Sequence, residues 1–185
     1  MAWSTPLTAV ANAALTAAQW NASVRDNLNE TATAKFTTGG QYFVSTAANA
    51  GAARIAGQGF YNTGAGTDTT NSTSFTALTG GAAATATTGT SALVFIWARM
   101  FNNTAGGRSV MGFAVSGATT VAATDLRAVA ATSNAANEEY WVGGAFLLDS
   151  TTASLTSGSN TFTNQMRVTT GTGTFAPRSI VVLPF

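Results

Sequence analysis

From Ser74 to the C-terminus the chain is built of short apolar runs, each closed by a cluster of Gly, Asn, Ser or Thr, and this rhythm constrains the fold more than any other feature. Runs of this length suit strands, and the closing residues are those that tolerate tight turns. The rhythm predicts eight strands, at 75–78, 84–88, 93–101, 109–115, 126–131, 140–148, 161–169 and 179–183. The expected class is therefore mainly β, an antiparallel β-sandwich or jelly roll over 74–185. Two runs depart from simple alternation. Leu93-Val94-Phe95-Ile96-Trp97 and Phe146-Leu147-Leu148 are apolar at consecutive positions, so both faces of those strands should be covered, the second by another subunit. The segments 102–107 and 170–173 read as hairpin connections.

The N-terminal part follows another pattern. Residues 1–15 contain Pro6 and many small residues without a helical period, which reads as an extended arm. Thr16-Ala17-Ala18-Gln19 has the form of a capping box, so a helix is expected from Ala17. Trp20, Val24, Leu28 and Ala32 recur every fourth residue and make a narrow apolar stripe. Lys35 reads as an exposed residue at the helix C-terminus, favoured by the dipole. A short strand is expected at 41–45, followed by a loop or sheet-edge segment over 46–72. The organisation is then 1–40 for the attachment arm and helix, 41–73 for a strand with a Gly/Ala/Thr-rich connection, and 74–185 for the sandwich.

Composition bears on function mainly by exclusion. Neither Cys nor His occurs, which removes disulfides, thiolate nucleophiles, Cys/His metal sites and the usual near-neutral acid–base catalyst. Charged residues make up 8% of the chain and the net charge is +1, without the basic clusters that a nucleic-acid binder needs. No apolar run reaches the ~18–20 residues of a membrane span. Glu138 and Glu139 are adjacent on a strand and so point to opposite faces, unable to flank one bond. Asp26, Asp68, Asp125 and Asp149 are isolated, and no serine has the surroundings of a nucleophile. No catalytic, cofactor or metal residue is expected. Gly57-Gln58-Gly59 and Gly64-Ala65-Gly66 lack the context of phosphate loops and read as flexible turns.

Aromatic residues carry the remaining signal. Trp97, Trp141, Tyr140 and Phe146 lie within dense strand patterns and read as core or interface in preference to a sugar-stacking platform. Trp3 and Trp20 lie in a segment too short and polar to form a core, which favours a binding role.

Met1-Ala2-Trp3-Ser4-Thr5-Pro6, Leu15-Thr16-Ala17-Ala18-Gln19-Trp20-Asn21 and Val24-Arg25-Asp26-Asn27-Leu28 resemble the start of virion proteins from tailed phages of actinobacteria, the head-fibre, capsid-decoration and minor tail proteins. The Thr76-Ala77-Leu78-Thr79-Gly80 segment and the terminal Arg178-Ser179-Ile180-Val181-Val182 run are also similar to that group. The resemblance implies a protein of the phage particle surface, made in the host cytoplasm and docked on the major capsid protein or another virion protein. It also implies trimers in the manner of tumour-necrosis-factor-like jelly rolls. Trp3, Pro6, Trp20, Val24 and Leu28 are the expected attachment residues. The alternative within the resemblance is a minor tail or receptor-binding protein contacting host-surface glycans.

Overall fold

A computed structural model describes residues 7–8, 12–61 and 68–185. Two compact units divide the chain after Ile55. Trp3, Pro6 and Gly64-Ala65-Gly66 lie outside the described residues.

In the first unit the capping box forms as the sequence requires. Gln19 N–H donates to the Thr16 hydroxyl at 3.2 Å, and the Thr16 N–H donates to the Gln19 side chain at 3.0 Å. Helix α1 (Ala17–Trp20) runs directly into a π-helical stretch (Asn21–Arg25) and then α2 (Asp26–Leu28). A short α3 (Ala32–Lys35) follows. Strands β1 (Tyr42–Ala47) and β2 (Ala50–Arg54) form an antiparallel hairpin. Its turn holds Asn49 at φ 56, a left-handed conformation that Asn tolerates better than most residues. Val44 is the one buried apolar side chain among this unit's described residues, joined by the polar Asn27 and Glu30. Lys35 is not the exposed residue expected: it lies half-buried, 2.9 Å from Glu30, and this contact holds the Glu30 carboxyl below the usual range. Burying one valine gains roughly 1.5–3 kcal/mol, whereas ordering backbone costs ~1–2 kcal/mol per residue. The unit thus has very little core of its own.

The second unit is a sandwich of two antiparallel sheets. One has the order β5 (Ala83–Thr88), β10 (Gly158–Val168), β7 (Arg108–Gly117), β8 (Ala128–Thr132). The other has the order β3 (Gly57–Tyr61), β11 (Gly173–Pro184), β6 (Ala92–Asn102), β9 (Tyr140–Leu148), with β4 (Thr69–Thr70) pairing the start of β11. Successive strands from β5 to β11 change sheets at every step except β7 to β8, and this nested order is a jelly roll. The crossing corrects two expectations. The 103–107 segment joins β6 to β7 in the opposite sheet, and 169–172 does the same for β10 and β11, so neither closes a hairpin. Buried Asn102 shapes this corner by donating to the Thr170 carbonyl at 2.9 Å and accepting from Thr104 N–H at 2.9 Å.

The core lies between the sheets. Phe113 and Phe162 from one sheet meet Met100, Phe175 and Ile180 from the other, with Phe113 6.0 Å from Phe146 and 6.3 Å from Phe162 between ring centroids. The β5 edge contributes only Ala84 and Ala86, and β3 runs close by. A Cβ on Gly57 would come within 2.9 Å of the Thr85 carbonyl oxygen, and one on Gly59 would press on the backbone of Ala83. These glycines are strand residues chosen for close approach, a correction to their reading as flexible turns. The expected strand at 75–78 is reduced to a bridge between Thr76 and Met166, because Gly80 and Gly81 turn the chain away at once. Leu126 lies in a 3₁₀ turn (Asp125–Arg127) and β8 begins after it.

Candidate functional site

Along β6 the side chains alternate strictly, and the antiparallel register fixes which neighbours share a face. Val94, Ile96, Ala98 and Met100 point into the core. Leu93, Phe95, Trp97 and Arg99 therefore point outward. On β9 their partners are Leu147, Ala145, Gly143 and Trp141, and on β11 Leu93, Phe95 and Trp97 face Leu183, Val181 and Ser179. Phe60 continues the face onto the edge strand β3. Trp141 is 66% exposed, Phe60 58%, Leu147 48% and Trp97 37%. The second face of the apolar runs is thus a continuous apolar surface, open to solvent in a single chain.

The opposite sheet is covered differently. Thr85 and Thr87 on β5, Thr161, Thr163 and Gln165 on β10, and Ser116 on β7 alternate with core residues and face outward. The hydroxyls of Thr85 and Thr161 lie 2.9 Å apart. One sandwich therefore carries an apolar face on one sheet and, across the β5-β10 half of the other sheet, a face of hydroxyls, an asymmetry that ordinary solvation does not require. Among the described residues, charge enters the apolar face only at its end, where Arg99 lies 3.4 Å from Glu139 and donates to the Ala176 carbonyl at 2.7 Å.

A shallow groove of about 510 Å³ crosses this face between Phe95, Trp97, Val181 and the small residues Gly143 and Ala145. Cross-strand pairing places Trp97 against Gly143 and Phe95 against Ala145, so rings stand on one side and almost nothing on the other.

The second surface is the helical stripe. Trp20 and Leu28 are 54% and 59% exposed and Val24 is half-buried. A four-residue step overshoots an α-helical turn of 3.6 residues and falls short of the wider π turn. The π-helical stretch between Trp20 and α2 therefore offsets the drift of the α-helical part and keeps the stripe in line. The hydrogen bond from the Asn27 side chain to the Ser23 carbonyl, 3.0 Å, lies on another face.

The carboxylates do structural work. Asp125 takes a two-point contact from Arg167, at 2.6 and 3.0 Å, which lowers its pKa. Asp149 accepts from the Thr151 hydroxyl and from the Thr151 and Thr152 N–H groups in its own turn, and these bonds lower its pKa. The Tyr140 hydroxyl holds the Glu138 pKa down, and Glu138 also accepts from Asn134 N–H at 2.9 Å. No group of three or more potential metal-ligating carboxylates occurs among the described residues.

Phe60, Val181 and Leu183 were not foreseen as part of the face, because only the pairing register brings β3 and β11 beside β6. Arg178 was also missed as a buried group. It lies fully buried, with its guanidinium carbon 3.8 Å from the Tyr61 ring centroid and its nitrogens donating to the carbonyls of Phe175 (2.8 Å) and Thr79 (3.4 Å). It thus ties together the two C-terminal segments noted in the sequence, 76–80 and 178–182.

No family model matches the sequence. No curated protein matches it. Among solved structures the chain is similar to Eiger TNF from S. frugiperda, with a TM-score of 0.46 and 12% identity, covering 71% of this chain and 92% of that one.

Proposed function

We propose that this chain is a structural, non-catalytic protein of a tailed-phage particle: the N-terminal unit docks on the capsid or another virion protein, and the jelly roll assembles with its own copies as a trimer. The observation that carries the reading is the apolar outer face of the β3-β11-β6-β9 sheet, in contrast to the hydroxyls along β5 and β10 on the other sheet. Exposed ring and aliphatic surface of this extent is stabilised by burial against another protein, and the low net charge lets identical copies approach without strong repulsion. The N-terminal sequence pattern and the exposed Trp20 and Leu28 support the docking half. Several weak docking contacts held by one oligomer add through avidity, which suits a capsid decoration or head-fibre protein.

Deleting residues 1–55 tests this reading. The expected result is a folded β protein by circular dichroism that no longer joins phage particles; normal incorporation of the truncated chain refutes the docking role. The exposed indole of Trp141 also favours a second reading, adsorption to host-surface glycans by ring stacking. That reading requires saturable glycan binding lost in Trp141→Ala, with few copies per particle confined to the tail.

A further inference from the structure

We infer that the assembly face works by a knob and a hole: Trp141 of one copy seats in the groove of a second copy, between its Phe95 and Trp97 rings and above its Gly143 and Ala145. The inference rests on the self-assembly part of the proposed function and names the contact that closes it.

Four observations lead there. Trp141 is the most exposed aromatic residue described on the sandwich and stands on β9, an edge strand, where a neighbouring molecule can reach it. Its cross-strand neighbour is the long polar Arg99 instead of another ring, so its own sheet offers the indole little cover. The groove lies on the same face, toward the sheet centre, and is lined almost wholly by apolar atoms. Its floor is open because Gly143 has no side chain; a Cβ there would already stand 3.1 Å from the Trp97 Cβ.

The occupant is a second copy of this chain on grounds of area and charge. A large aromatic side chain carries ~150–250 Å², so the exposed parts of Trp141, Phe60, Leu147 and Trp97 sum to on the order of 400 Å². The half-buried Leu93, Phe95, Val181 and Leu183 bring the face to roughly 600 Å², which matches the apolar share of one standard interface of ~800 Å² per partner. The groove holds no charge, and the knob that matches it is present once on every copy. A knob and a hole on one face pair either reciprocally about a twofold axis or head-to-tail around a ring, and the trimer proposed above takes the head-to-tail form. A face that takes glycan or a foreign protein instead would leave the purified wild-type chain as single copies.

The experiment uses the full-length chain and reads mass in solution by light scattering after size-exclusion chromatography. The expected wild-type mass is three times the chain's 18.7 kDa. Trp141→Ser, which removes the knob, and Ala145→Arg, which blocks the hole, should each give single chains with unchanged far-ultraviolet circular dichroism. Mixed together, they should give pairs and nothing larger, because only one intact knob and one intact hole remain in each pair. Leu126→Ser, at the 88% exposed loop residue away from this face, should leave the wild-type mass unchanged. A wild-type mass of one or two chains overturns the inference, as does a Trp141→Ser variant that keeps the wild-type mass. The latter result leaves particle docking through residues 1–55 standing, so the two ideas fail separately.

Discussion

Replacing Arg178 separates what its charge does from what its volume does. The guanidinium is fully buried, and among the described residues no carboxylate stands within ion-pair distance of it. Burial pushes its pKa down, yet an arginine remains protonated in a protein, so the cation is balanced by two carbonyl dipoles, the Tyr61 ring and the more distant charge of Asp68. A desolvated cation–π contact is worth ~2 kcal/mol, and a charged hydrogen bond such as the 2.8 Å one to Phe175 ~1.5–3 kcal/mol. Against these stands an effective desolvation penalty of several kcal/mol for the buried ion. The terms nearly cancel, so Arg178→Met, which keeps the stem and removes the charge, should stay within about 2 kcal/mol of wild type. Arg178→Lys keeps a charge but loses the planar fork that serves both carbonyls while stacking on Tyr61. It should lose about 3–5 kcal/mol, the usual cost of leaving a buried charge uncompensated. Arg178→Ala should also fall well below Met, by about 2 kcal/mol for the lost stem methylenes. Urea titrations at pH 7 and one fixed protein concentration read these differences through the midpoint at constant slope. By calorimetry the Lys variant should melt about 6–20 °C lower, at ~2–4 °C per kcal/mol for a chain of this size. A Lys variant as stable as wild type would refute the reasoning, because charge alone would then suffice.

Three further outcomes follow from the same structure. Phe113→Ala removes a ring packed against Phe146 and Phe162 and should cost about 3–5 kcal/mol in the same titration; a loss under 1 kcal/mol contradicts the placement of the core. Arg167 depresses the Asp125 pKa, so the stabilisation from this pair is complete above the ordinary carboxylate value of about 3.9 and is lost as pH falls through the lowered folded value. Asp125→Asn should therefore narrow the stability gap between pH 7 and pH 2, by no more than about 1 kcal/mol for so exposed a pair, and an unchanged pH profile argues against it. Thr16→Ala removes the helix cap at a local cost of about 0.5–2 kcal/mol; hydrogen exchange at Gln19 should quicken while the sandwich amides keep their protection.

What the sequence made legible was whatever depends on near neighbours. The capping box at Thr16 and Gln19 and the start of the helix at Ala17 are local chemistry and appear where expected. The consecutive apolar run 93–97 marked a strand apolar on both sides, and alternation along β6 turns one side into the core and leaves the other open in a single chain. The failures are non-local. Nothing near Gly57 and Gly59 in sequence reveals that β5 passes against them, and nothing near Asn103 or Thr170 shows that those turns cross between sheets. The helical stripe was readable, but the burial of Asn27 and Glu30 and the contact of Lys35 with Glu30 were not, since they depend on how the helical segment meets the β1-β2 hairpin. Arg178 looked like one more scattered basic residue because its partners, Tyr61 and Thr79, lie about a hundred residues away.

The most direct test of the central claim is electron cryo-microscopy of purified phage particles, with this chain fitted to the density. The account predicts jelly rolls clustered in threes at many symmetry-related positions on the head, each with its β3-β11-β6-β9 sheet turned toward its neighbours and its N-terminal unit against the shell. Particles that lack the chain, or that carry it as isolated copies with the apolar face toward solvent, would contradict it.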